Sequence, residues 1–153
     1  MRDVTNYMKI TFPGYSKNES AARMCVCAFV SQLDPTIEEI NDIKAAVSEA
    51  VTNCIVHGYC DTIGEITMQL KIIGTDTLYI KISDKGCGIA DVKKAMEPLF
   101  TTCPEGERAG LGFAVMESFT DRLKVTSHVG KGTCVIMQKK LCVRKLGNEQ
   151  TDR

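Results

Sequence analysis

The spacing of apolar residues changes several times along the chain, and each change marks an element. Leu78, Ile80 and Ile82 alternate with Tyr79, Lys81 and Ser83, which predicts a strand over Thr77–Ser83 with one buried face. Glu65–Ile73 reads as the strand before it, with Gly74–Asp76 as the hairpin turn between them. Met8–Phe12 is a shorter strand, closed by Pro13-Gly14. From Asn18 to Leu33 the spacing becomes helical. The apolar positions Ala21, Met24, Cys25, Ala28 and Phe29 cover most of the circumference, so contacts on more than one side are expected. A second helix is expected to open with Asp34 as N-cap and Pro35 at its first position, run to His57 and stop at Gly58. Its core stripe is Ile40, Ile43, Val47, Val51 and Cys54.

Lys85–Gly110 is long and rich in Gly, Pro, Thr and charge, with room for one short helix near Asp91–Met96. A connection of that length in a compact domain reads as a lid or binding loop. A helix near Leu111–Phe119 follows, then strands at Arg122–His128 and Thr133–Lys140 joined by a Gly130-Lys131-Gly132 turn. This order predicts an α+β fold, two layers, with helices packed on one face of a mixed, mostly antiparallel sheet. No repeat or linker divides the chain, so one domain is expected over 1–143, followed by a polar tail over 144–153.

Composition narrows the class of function. The formal net charge of the 153 residues is zero, which argues against broad electrostatic binding to nucleic acid or to an anionic membrane. No apolar segment is long enough to span a bilayer, and the first residues lack an apolar run with a small-residue cleavage site. A cytoplasmic protein is expected. The eight cysteines form no C-x-x-C pair, and most sit in apolar segments, so they read as reduced thiols that pack as small hydrophobes.

Three segments carry candidate chemistry. In Ala45–Tyr59, Glu49 is the only formally charged side chain. Asn53 and His57 follow at intervals of one helical turn, which places all three on one face among small alanines. A solvated face is normally more charged, so this stripe either faces a ligand or forms a buried polar cluster. In Asp84-Lys85-Gly86-Cys87-Gly88, an acid ends an apolar strand and two glycines permit a sharp turn and the close approach of a ligand. Taken alone it is an ordinary strand exit. In Arg108-Ala109-Gly110-Leu111-Gly112-Phe113, glycines lead into a helix, whose N–H groups suit phosphate. Arg108 adds a forked donor. There is no G-x-G-x-x-G after a strand and no G-x-x-x-x-G-K-[ST], so Rossmann and P-loop readings fail. The motifs of the common protein kinases are absent. Glu19 and Arg23 stand at i,i+4 on the first helix, either as a solvated pair worth about 0.2–0.5 kcal/mol or as a partner-binding patch.

In this order, Glu49-x-x-x-Asn53, Asp84-x-Gly86-x-Gly88 and Gly110-x-Gly112 resemble the N box and the two glycine boxes of the GHKL (Bergerat) ATPase and kinase superfamily. Glu19-Ser20-x-x-Arg23, SEAVTNCIVHGY and PLFTTCPEGERAGLGF resemble its anti-sigma-factor serine kinases, the sporulation branch acting on sigma-F above the general-stress branch. Phe113, where many histidine kinases carry Leu, fits that branch. The resemblance implies binding of ATP (or ADP) with Mg²⁺, and a homodimer that sequesters a sigma factor. It also implies serine phosphorylation of an anti-anti-sigma protein. By matched position, Asp84 would bind the adenine amine, Asn53 would hold Mg²⁺ and Glu49 would be the general base. Arg108 would reach the γ-phosphate, and Thr133 would close the base-binding wall. Glu19 and Arg23 would meet the sigma factor. His57 receives no chemical role, and packs or touches phosphate. A different class of function is a nucleotide-bound module that sequesters its partner without transfer.

Overall fold

The structure is a computed structural model in which residues 3–97 and 112–142 are described. Strand β1 (Val4–Pro13) is followed by helix α1 (Ser16–Val30), a 3₁₀ turn at Ser31–Leu33 and helix α2 (Ile37–Asn53). The chain leaves α2 through a single π turn, Cys54–Gly58, into strands β2 (Glu65–Ile73) and β3 (Thr77–Asp84). Short helix α3 (Val92–Ala95), helix α4 (Gly112–Phe119) and strands β4 (Arg122–His128) and β5 (Gly132–Lys140) complete it.

The strands form one sheet in the order β1-β2-β3-β5-β4, and each of the four pairings is antiparallel. Register lines up apolar rows across it. Ile10, Met68, Ile82, Val135 and Val125 make one row; Leu70, Ile80, Met137 and Leu123 lie in the next. These residues share one core with Val26, Val30, Val47 and Val51 of the helices, so α1, α2 and α4 cover a single face. The other face carries Lys9, Gln69, Lys81 and Lys124 in one row and Tyr7, Lys71, Tyr79 and Arg122 in another. Lys71 lies over the Tyr79 ring, 5.2 Å from its centroid.

Alternation has a consequence for the site. Leu78, Ile80 and Ile82 point inward, so the next inward position of β3 is Asp84, opposite Ile66. A carboxylate thus occupies the end of a core-facing row, and only 8% of the residue is exposed.

Helix α1 spans Ser16–Val30 and not Asn18–Leu33, and two boundaries of α2 differ from expectation as well. Asp34 does not cap α2. It closes the 3₁₀ turn in a left-handed conformation (φ 48°), which Asp tolerates better than most residues. Thr36 is the N-cap: its hydroxyl accepts from Glu39 N–H (3.1 Å), and Glu39 accepts from Thr36 N–H (2.8 Å). This reciprocal box satisfies two end groups where Asp34 would satisfy one. Pro35 therefore precedes the helix. Thr36→Ala should lower stability by about 1 kcal/mol in urea unfolding, and an unchanged midpoint would show the box to be dispensable. The second difference is the end of α2, at Asn53 and not at His57.

Candidate nucleotide site

The π turn positions the first wall. Tyr59 N–H reaches back five residues to Cys54 C=O (3.0 Å), one residue more than an α turn holds. The turn carries Gly58 against the exit of β3. A side-chain carbon at Gly58 would lie 3.0 Å from the Asp84 carboxyl carbon, and one at Gly86 only 2.1 Å from Gly58 O. Cys87 N–H donates to that same oxygen (3.0 Å). Glycine at position 86 is therefore the condition for the two turns to meet. Gly88 adopts φ +75°, a conformation suited to glycine, and packs against the His128 carbonyl.

Asp84 is held from three sides. Its Oδ1 accepts from Gly86 N–H (2.8 Å) and from Thr133 N–H (3.3 Å). The buried Cys54 thiol is hydrogen-bonded to the carboxylate, and burial followed by that negative charge pushes the thiol well above its ordinary range, so it stays protonated. Tyr59 ties the turn to β2: its hydroxyl accepts from Lys85 N–H (2.6 Å) and donates to Glu65 C=O (2.7 Å). Thr133 adds a hydroxyl contact to Ser127 (2.8 Å).

The second wall comes from α2 and the start of α4. Glu49 is 8% exposed, which excludes a freely solvated carboxylate. Its Oε2 and both amide atoms of Asn53 lie 3.2 Å from where a side-chain carbon on Gly112 would sit. Glu49 and Asn53 thus converge on the first residue of α4, and any larger residue at 112 would press on both. His57 lies within the π turn and lines the same cavity as Asn53; burial lowers the pKa of its imidazole. Between the walls is a cavity of about 570 Å³, within the roughly 300–1,000 Å³ of small-molecule sites. Asn53, Asp84, Ile89, Phe113, Thr133 and Val135 are among its lining residues.

Of the residues singled out in the sequence, Asn53, Asp84, Gly88, Gly112 and Thr133 line this cavity, while Glu49 and Gly86 back it. Arg108 and Gly110 lie outside the described residues. Glu19 and Arg23 are elsewhere, on α1, 3.5 Å apart and 20% and 37% exposed. Sequence reasoning missed Cys54 and Tyr59 as supports of Asp84, and gave Gly58 only the role of helix stop. The signal lay in the same segment, whose CIVHGY follows Asn53 directly. Among the described residues no group of three His, Cys, Asp or Glu is arranged for a metal, and no helix is long and apolar enough to cross a membrane.

Residues 13–139 match the family described as the histidine kinase-like ATPase domain. The chain belongs to that family. A protein of Thermoanaerobacter sp. (strain X514) named anti-sigma F factor is 58% identical over 137 residues, which span 90% of this chain and 95% of that one. The anti-sigma F factor of Clostridium acetobutylicum (strain ATCC 824) is 52% identical over 138 residues, 90% and 96% of the two chains. A solved structure of the RsbU and RsbW domains of Rv1364c from Mycobacterium tuberculosis superposes with a TM-score of 0.65 at 19% identity, covering 90% of this chain and 32% of that one. The catalytic domain of histidine kinase ThkA gives 0.55 at 13% identity, covering 90% and 97%. These two likenesses concern the fold.

Proposed function

We propose that this chain is an anti-sigma factor that binds a sigma-F-type factor as a homodimer and uses Mg²⁺–ATP to phosphorylate a serine of an anti-anti-sigma protein. The observation that carries the reading is the convergence of a buried carboxylate, Glu49, and an amide, Asn53, on the start of α4 beside the cavity that Asp84 lines. The names of relatives more than half identical over nine-tenths of the chain support the partner.

The residues present fit the nucleotide. Asp84 offers acceptor capacity beyond the two N–H groups on Oδ1 and the Cys54 thiol, since a carboxylate has about four lone-pair sites. That capacity suits an exocyclic amine, with Thr133 beside it. Asn53 supplies an amide oxygen, and Mg²⁺ with phosphates and water needs few protein ligands. Bound Mg²⁺–ATP supplies the transferable phosphoryl group and neutralises its charge. Glu49 takes the proton of the incoming serine hydroxyl, Arg108 binds the γ-phosphate, and Gly110 and Gly112 let the chain approach the phosphates closely.

The test is incubation of the chain with labelled ATP and the anti-anti-sigma protein, with label on serine as the expected result. Firm ATP binding without transfer would leave a sequestering module. Asn53→Ala should weaken Mg²⁺–ATP binding by at least about tenfold in a calorimetric titration, with a smaller effect when Mg²⁺ is chelated. If the parent binds nucleotide equally with and without Mg²⁺, Asn53 has no metal role. Arg23→Glu turns the Arg23–Glu19 pair into a repulsion on an accessible helix face. It should lower affinity for the sigma factor by at least about tenfold and leave ATP binding alone. Normal sigma binding would place the interface elsewhere.

A further inference from the structure

The cysteines find no use in the proposed chemistry, yet two of them are paired in space. The Cys87 thiol donates to the His57 carbonyl at 3.2 Å, and the Cys60 thiol donates to the same oxygen at 3.6 Å. Two sulfurs at those distances from one atom are at most about 6.8 Å apart. Both residues are exposed, and both stand at the rim of the cavity. They come from the two turns that meet at its first wall. Cys60 follows the π turn, and Cys87 sits between Gly86 and Gly88. The backbones beneath them are already joined by Cys87 N–H donating to Gly58 C=O (3.0 Å). Buried Cys54 differs: it packs against Asp84 and is closed to solvent.

We propose that Cys60 and Cys87 form a reversible disulfide across the rim of the nucleotide cavity, which makes nucleotide binding sensitive to hydroperoxides. The inference rests on the nucleotide-binding reading of that cavity. One thiol, as thiolate, attacks a peroxide oxygen; the O–O bond breaks, a sulfenic acid forms and the remaining oxygen leaves as water or alcohol. The second thiol attacks that sulfur, the S–O bond breaks, the S–S bond forms and the sulfenic oxygen leaves as water. The two cysteines lose two hydrogens and two electrons, and the peroxide gains them. A dithiol reductant reverses the step by exchange.

The bridge changes the site in two ways. It consumes both S–H donors, so the His57 carbonyl loses both thiol partners and the end of the π turn is released from them. It also draws the residue after Tyr59 toward the glycine turn. Tyr59 and Gly58 are what hold Lys85 and Gly86 in place, and with them Asp84.

The experiment treats the full, nucleotide-free chain with hydrogen peroxide, blocks remaining thiols and maps cross-linked peptides by mass. Binding of a fluorescent ATP analogue is measured before and after, and again after dithiothreitol. The expected result is a Cys60–Cys87 peptide, a loss of affinity of about tenfold or more, and recovery on reduction. In Cys60→Ser the affinities before and after peroxide should be equal, which assigns the effect to this pair among the eight cysteines. A map without the Cys60–Cys87 peptide overturns the proposal. So does the peptide with unchanged affinity. A reduced chain that binds no nucleotide sinks the nucleotide-binding reading itself, and the switch with it, whatever the peptide map shows.

Discussion

Glu49→Gln should retain nucleotide binding and lower serine phosphorylation by about 10²–10⁴-fold, the range for removal of a positioned general base. The substitution keeps the size of the side chain and its acceptor oxygen, so packing around residue 49, which is 8% exposed, is little disturbed. What it removes is the ability to take a proton. Glu49 does not line the cavity, whereas Asn53 and Asp84 do, so affinity should follow those residues and rate should follow Glu49. Single-turnover transfer, with ATP affinity measured on the same preparation, separates the two. Transfer at the parental rate would remove Glu49 as the base. A matching loss of affinity would make it a structural support of the wall it shares with Asn53.

Gly86→Ala should be among the most damaging single methyl additions to the described residues. Its carbon would lie 2.1 Å from Gly58 O, 2.5 Å from Gly58 C and 2.8 Å from Gly58 Cα. These are backbone atoms, so no side chain can turn aside. Nor can Gly58 retreat, because its far side is against Asp84 and its carbonyl accepts from Cys87 N–H. The two turns must separate, which breaks that hydrogen bond and shifts the carboxylate. Overpacking and the lost bond together should cost about 2–4 kcal/mol in urea unfolding. Nucleotide affinity should fall by at least about tenfold. Stability within about 0.5 kcal/mol of the parent would mean that the turns have slack the geometry does not show.

Much of this site was legible in the sequence. The inward series Leu78, Ile80, Ile82 leads by simple alternation to Asp84, and the structure puts all four on the core face. The uncharged surroundings of Glu49 argued against a solvated face, and the residue is 8% exposed. Local pattern failed where a longer-range contact decides. Strand β1 runs from Val4, not Met8, because Val4 and Asn6 pair with Ile73 and Ile72 of β2, with Thr5 bulged between them, where the local sequence shows no alternation. Thr36 displaces Asp34 as the cap because Glu39 is placed to reciprocate. The meeting of Gly58 with Gly86 depends on chain segments far apart in sequence, and nothing near either residue announces it.

The π turn at Cys54–Gly58 makes this stretch sensitive to the number of its residues as well as to their identity. Val56 is 38% exposed. Removing any one residue would let α2 continue with ordinary i→i+4 bonds and would rotate everything after it by about 100°. Gly58 would leave Asp84, and Cys60 would leave Cys87, although every contact within the helix would be better made. In this segment a change of length ends the pocket.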